Sequence, residues 1–182
     1  MSEPKEPERL SGSFVPHYVN HEWSRFADRV TGALLLDDEA YADIDRDSGA
    51  LAQAFVVVIG AACITGLGNL YPSLVFLGVA GLLFAWLVAA ALIWAVGTLA
   101  TGRDIDYARL LRCLGFAYVW VAPFLLSDLW WVGWVFKLGG TALLLYSFVL
   151  ATRQVLGVST GRAGRICLVS LIPIVLIWFS AG

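Results

Sequence analysis

The run SGALAQAFVVVIGAACITGLGNLYPSLVFLGVAGLLFAWLVAAALIWAVGTLATG, Ser48 to Gly102, holds no charged residue in 55 positions. A bilayer core of about 30 Å is crossed by roughly 20 residues at 1.5 Å each, so this run is too long for one helix and accommodates two. The break falls at Gly66-Leu-Gly-Asn-Leu-Tyr-Pro-Ser73, where two glycines, Asn69 and Pro72 stop one helix and start the next. Spans are expected near residues 50–68 and 73–99.

Composition carries the same message for the rest of the chain. Of 182 residues, 59% are hydrophobic and 14% charged, too few charges to cover a water-soluble globule of this size. An all-α polytopic membrane bundle is the expected fold class. Twelve basic residues against 14 acidic ones give a net charge of -2, which points to neither a nucleic-acid binder nor a strongly acidic binding protein. Thr101-Gly-Arg-Asp-Ile-Asp106 separates the second span from a third near 109–126. Ser127-Asp128 marks a tight turn before a fourth at 130–152, and a fifth fills 165–181. Between the last two, Arg153 to Arg165 carries three arginines and three glycines and reads as a polar loop, partly helical at its start. Residues 1–17 form a polar, disordered tail, unlike a secretory signal because no apolar core directly follows its charges.

The positions of the basic residues set the orientation. With five spans, the N-terminal region, the loop near 101–108 with its flanks and the 153–165 loop share one face and hold 11 of the 12 basic residues, Lys137 being the exception. By the positive-inside rule the N-terminus is cytoplasmic and the C-terminus lies outside. Arg103, Arg109, Arg112, Arg153, Arg162 and Arg165 are then candidate contacts for anionic lipid headgroups. Trp130, Trp131 and Trp134, with Tyr71 and Trp178, form an outer aromatic belt, and Pro123 and Pro173 are expected to kink the third and fifth helices.

Residues 18–47 have a different pattern. Val19, Trp23, Phe26, Val30 and Leu34 recur at steps of 4, 3, 4 and 4, one apolar helical face opposite Glu22, Arg25, Asp28 and Arg29. Such a helix lies in the headgroup plane or packs on the cytoplasmic ends of the bundle, and Trp23, Phe26, Val30 and Leu34 are its candidate interfacial or partner-binding face. A second short helix begins at Asp37, whose side chain caps it, and turns Tyr41 and Ile44 inward. Asp43-x-Asp45-x-Asp47 copies the start of a calcium loop, yet Ser48 replaces the required glycine and Ala54 the bidentate glutamate. A solvated acidic face is the reading preferred over a metal site.

Chemistry-bearing constellations are scarce. Cys63, Cys113 and Cys167 lie in apolar stretches and read as small buried hydrophobes. His17 and His21 lack further ligands nearby, no span contains a histidine, and no Gly-x-Ser-x-Gly elbow or phosphate loop is present. No enzyme activity and no cofactor are expected.

Three stretches resemble a known family. They are Arg29-Val-Thr-Gly-Ala-Leu-Leu-Leu-Asp-Asp-Glu-Ala-Tyr-Ala-Asp-Ile-Asp-Arg-Asp-Ser-Gly-Ala50 with the opening of the first span, Trp94 to Tyr118, and Ala151 to Ala163. Together they are similar to bacterial members of the Ypt-interacting-protein (Yip) family, over roughly residues 25–180. The resemblance implies five spans, a cytoplasmic N-terminus and a prokaryotic inner-membrane location. The Asp-Leu-Tyr-Gly-Pro type motif of the eukaryotic GTPase-binding relatives is absent, so GTPase binding does not carry over. The expectation is a non-enzymatic membrane organiser or adaptor, with the bilayer, other membrane proteins or a second copy as partners. An accessory subunit of a larger membrane complex, such as an electron-transport assembly, is the alternative, and a small transporter or lipid-handling protein a further one.

Overall fold

The computed structural model describes residues 17–66, 72–126 and 133–181, and among them every regular element is helical. In chain order these are α1 His17–Leu34, α2 Asp38–Arg46, α3 Ala50–Gly66, α4 Pro72–Thr101, α5 Tyr107–Ala117, a 3-10 segment Tyr118–Leu126, α6 Gly133–Leu156 and α7 Thr160–Ala181. The expected tail, the turns near 67–71 and 127–132, and the belt residues Tyr71, Trp130 and Trp131 lie outside the described residues, as do the side chains of His17, His21 and Trp178.

Local chemistry explains where helices begin and end. Asp37 and Asp106 cap α2 and α5, their carboxylates accepting the backbone N–H of Glu39 and Ala108 at 3.0 and 2.9 Å. Gly102 and Gly157 follow α4 and α6 with φ of 65° and 62°, the left-handed conformation that a side chain disfavours. The end of α1 has the same geometry without a glycine: Leu36 sits at φ 57° while Asp37 N–H bonds the Gly32 carbonyl and Leu36 N–H that of Ala33. Leu36 packs against the core, and that burial offsets its backbone strain.

The bundle core forms where α3, α4 and α5 meet. Ala54, Trp86, Ala89, Ala90, Ile93, Leu110 and Leu114 are all buried there. Small residues permit close approach: a methyl added at Gly115 would lie 2.6 Å from Ala54 Cβ and 3.1 Å from Trp86 Cζ2. The Trp86 ring meets Phe55 edge-on, with centroids 4.9 Å apart. α6 packs on α5 and on the 3-10 segment, and α7 closes the bundle against α4 and α6.

Two helical stretches, Phe76–Thr101 and Gly133–Leu156, are long and apolar enough to cross a membrane. In the most apolar stretch of the first, only 22% of residues are buried. A core helix of a soluble protein with that composition would be mostly covered. Five spans were expected; among the described residues the other three elements do not present a continuous apolar α-helix of that length. The α3 helix has 17 residues, its apolar part ending at Ile64. The third segment changes at Tyr118 from α to 3-10, because Pro123 has no N–H and its ring clashes with the carbonyl four residues back. The expected 153–165 loop contracts to residues 157–159, so Arg153 ends up on α6 and Arg162 and Arg165 on α7. The fifth helix passes through Pro173 without a break in its assignment.

Replacing Gly115 by Ala is expected to cost about 1–3 kcal/mol through overpacking, read as a lower thermal midpoint in detergent. Gly60→Ala on α3, where an added methyl meets nothing within 4 Å, serves as the control and is expected to be neutral or slightly stabilising.

Candidate functional site

The nine-residue helix α2 is the point on which charges from three other helices converge. Asp43 and Asp47 are four apart and share one helical face, while Asp45 points away from both. Arg29 of α1, 3% exposed, occupies the first face. Its Nε donates to Asp43 Oδ2 and its Nη2 to Asp47 Oδ2, both at 2.7 Å, and its Nη1 donates to Gln53 Oε1 of α3 at 2.8 Å. Asp47 also accepts the Gly49 N–H at 2.8 Å, so one carboxylate both holds Arg29 and shapes the α2–α3 junction.

On the other side Asp45 is buried and receives Arg109 of α5 in the two-pronged geometry that suits a guanidinium. Nε reaches Oδ1 at 2.7 Å and Nη2 reaches Oδ2 at 2.5 Å. Arg112, one turn on and buried, donates to the Asp45 carbonyl at 3.0 Å. Asp38 pairs with Arg153 of α6, which also donates to the Thr160 hydroxyl at 3.2 Å. Beneath α2, Tyr41 and Ile44 face inward as expected, and the Tyr41 hydroxyl hydrogen-bonds to Ser147 of α6. These contacts place α1 and α2 as a cap on one end of the bundle.

Burial of Arg29 works against its charge, yet the hydrogen bonds from Asp43 and Asp47 outweigh that cost and hold it above its ordinary pKa. The Arg29 hydrogen bond, followed by that of the Gly49 N–H, holds the Asp47 carboxyl below its ordinary range. Burial pushes the Tyr41 phenol up, leaving it protonated and able to donate.

The expected solvated acidic face holds for Asp37, Asp38, Glu39 and Asp43, which are exposed, and is corrected at Asp45. Asp45 is buried, and the arginines opposite α2, dispersed in sequence, are what draw its carboxylates in. The alternation Asp43-x-Asp45-x-Asp47 was the available signal, since on a helix it sends charge to two sides. Among the described residues no group of three or more His, Cys, Asp or Glu is placed to hold a metal.

The six arginines expected at lipid headgroups divide into two sets. Arg109, Arg112 and Arg153 are engaged by α2, while Arg103, Arg162 and Arg165 are exposed. The expected apolar face of α1 divides as well. Phe26 and Val30 pack on the bundle, Phe26 with its ring 6.4 Å from that of Phe116. Trp23 and Leu34 are exposed, and Leu35, which the periodicity did not include, is exposed beside them.

The chain matches no family model, no curated protein and no solved structure. Its reading therefore rests on its own residues.

Asp45→Asn is expected to destabilise the fold far more than Asp38→Asn. The first loss should fall somewhat under the roughly 3–5 kcal/mol of a broken buried pair, because Arg109 keeps 42% of its side chain in solvent. The second removes an exposed pair worth about 0–1 kcal/mol. Thermal unfolding in detergent measures both. Because folding lowers the pKa of Asp47, its stabilising contribution is complete above the ordinary carboxylate value near pH 4 and is lost as pH falls through the depressed folded value. The protection factors of amides in residues 17–47, with intrinsic exchange divided out, are accordingly expected to fall below about pH 4.

Proposed function

We propose that the chain is a non-enzymatic integral membrane protein of the Yip type, an organiser or adaptor that engages partners through its N-terminal cap. In this reading α3, α4, α5 with its 3-10 continuation, α6 and α7 each cross the membrane, with the cap cytoplasmic and the C-terminus outside. The apolar exteriors of α4 and α6 support the spanning role, as does the gathering of α2-bound arginines at one end of the bundle.

The observation that carries the adaptor role is the division of labour on α1 and its C-terminal turn. Phe26, Val30 and Arg29 fasten the helix to the bundle, so the exposed Trp23, Leu34 and Leu35 are held on a rigid support. Rigidly presented aromatic and aliphatic side chains favour partner binding, since less conformational freedom is lost on association. The cap's position next to the apolar helices keeps any partner at the membrane surface.

Trp23→Ser with Leu35→Ser tests this while leaving Phe26, Arg29 and Val30 in place; because the Trp23 ring meets that of Phe26 edge-on, centroids 6.0 Å apart, circular dichroism checks the fold. The double variant is expected to fold normally and to lose at least tenfold in affinity for proteins co-isolated from native membranes in mild detergent. Retention of every such interaction, in this variant and after deletion of residues 1–47, sinks the adaptor reading.

A further inference from the structure

At the charged end of the bundle the α4–α5 loop and the α6–α7 turn approach one another and enclose a polar pocket of about 270 Å³. Its wall is formed by Thr101, Arg103, Gly157, Val158, Ser159 and Arg162. At about 30 Å³ per water molecule, the volume is of the size that holds a partly hydrated oxyanion. The residues come from two connections well separated in sequence, and two details of the fold bring them together. Gly102 and Gly157, both with positive φ, end α4 and α6 and turn the chain sharply. Arg162 donates through Nη2 to the Ala100 carbonyl at 3.3 Å, tying α7 to the end of α4.

The charge balance around this pocket differs from that at α2. Arg29, Arg109 and Arg153 each meet a carboxylate. Among the described residues neither Arg103 nor Arg162 forms an ion pair, although both line one concavity; Asp104, next in sequence to Arg103, is the nearest acid along the chain. Two positive charges at a polar concavity, with the Ser159 hydroxyl beside them and the Thr101 hydroxyl turned to the Gly97 carbonyl, favour a compact, multiply accepting anion. The depth is informative as well. Leu99, two residues before Thr101, is 86% exposed at the end of an apolar helix, so the pocket opens where the apolar exterior stops.

We infer that this pocket binds a phosphate group, gripped by Arg103 from one side and Arg162 from the other. None of the residues lining this site belongs to the cap surface proposed for partners. The phosphate comes either from a lipid headgroup at the membrane surface or from a free ion in the adjoining water, and both present the same oxygens to the two guanidinium groups.

The full chain, purified in a neutral detergent and in phosphatidylcholine nanodiscs, allows a direct test. Inorganic phosphate is titrated at constant ionic strength against the detergent sample, and phosphatidic acid is introduced at increasing mole fraction into the nanodiscs, with binding followed by ³¹P NMR and native mass spectrometry. Saturable one-to-one binding is expected in at least one arm. Saturation with inorganic phosphate identifies a free-ion site, and saturation only with phosphatidic acid identifies a headgroup site.

Arg103→Gln is expected to weaken binding about tenfold or more, as loss of one charge-assisted contact does. Arg103→Gln with Arg162→Gln should abolish it, with the circular dichroism and thermal midpoint of both variants confirming the fold. Arg165→Gln removes the same charge outside the pocket and should leave affinity within about twofold. Equal weakening by Arg165→Gln, or binding that never saturates in either arm, overturns the site in favour of diffuse surface attraction. Because Trp23 and Leu35 are not involved, failure of the adaptor reading leaves this result unaffected.

Discussion

The clasp of Asp45 by Arg109, with Arg112 on its backbone carbonyl, is the constraint on which the charged end of the molecule depends. A buried carboxylate is costly unless its oxygens are fully engaged, and here both accept from one planar guanidinium. That requirement fixes the rotation of α2 on its axis, because only one face can present Asp45 to α5. Once α2 is so oriented, Asp43 and Asp47 turn toward α1, Asp38 toward α6, and Tyr41 toward Ser147. The short helix thus acts as an electrostatic keystone, with Tyr41 and Ile44 as its apolar footing in the core.

The opposite principle governs the bundle beneath. On the membrane-spanning reading proposed above, lipid tails are as apolar as leucine, so helices gain little from merely hiding side chains and associate through close fit. Ala54 against Gly115, with Trp86 filling the adjacent space, is such a fit. The molecule therefore combines a polar cap held by charge pairing with an apolar body held by shape, and the two meet at the α5 N-terminus. Arg109 and Arg112 lie on one side of that junction, Leu110 and Leu114 on the other.

Much of this was legible in sequence. The uncharged run from Ser48 to Gly102 located α3 and α4, and the period of Trp23, Phe26 and Val30 located α1. Asp37 announced α2, and the inward turn of Tyr41 and Ile44 followed from helical spacing. What escaped was pairing across distance. Nothing local joins Asp45 to Arg109 or Asp38 to Arg153, since each partnership is made only when separate helices are packed together. The same holds for the pocket between residues 101–103 and 157–162, whose walls are far apart along the chain. The start of α7, at Thr160 and not 165, was also misjudged, because arginine was read as loop chemistry although it is a good helix former.

The 3-10 stretch after α5 has a geometric effect beyond ending an α-helix. With three residues per turn, side chains three apart stand directly above one another, where in an α-helix they would drift around the axis. Tyr118, Val121 and Phe124 consequently form one straight file along the bundle, the first two buried and the third packed against the core. The rise per residue also grows to about 2 Å, so eleven α and nine 3-10 residues together reach roughly 34 Å. The segment is thereby about 4 Å longer than twenty residues of regular α-helix would be.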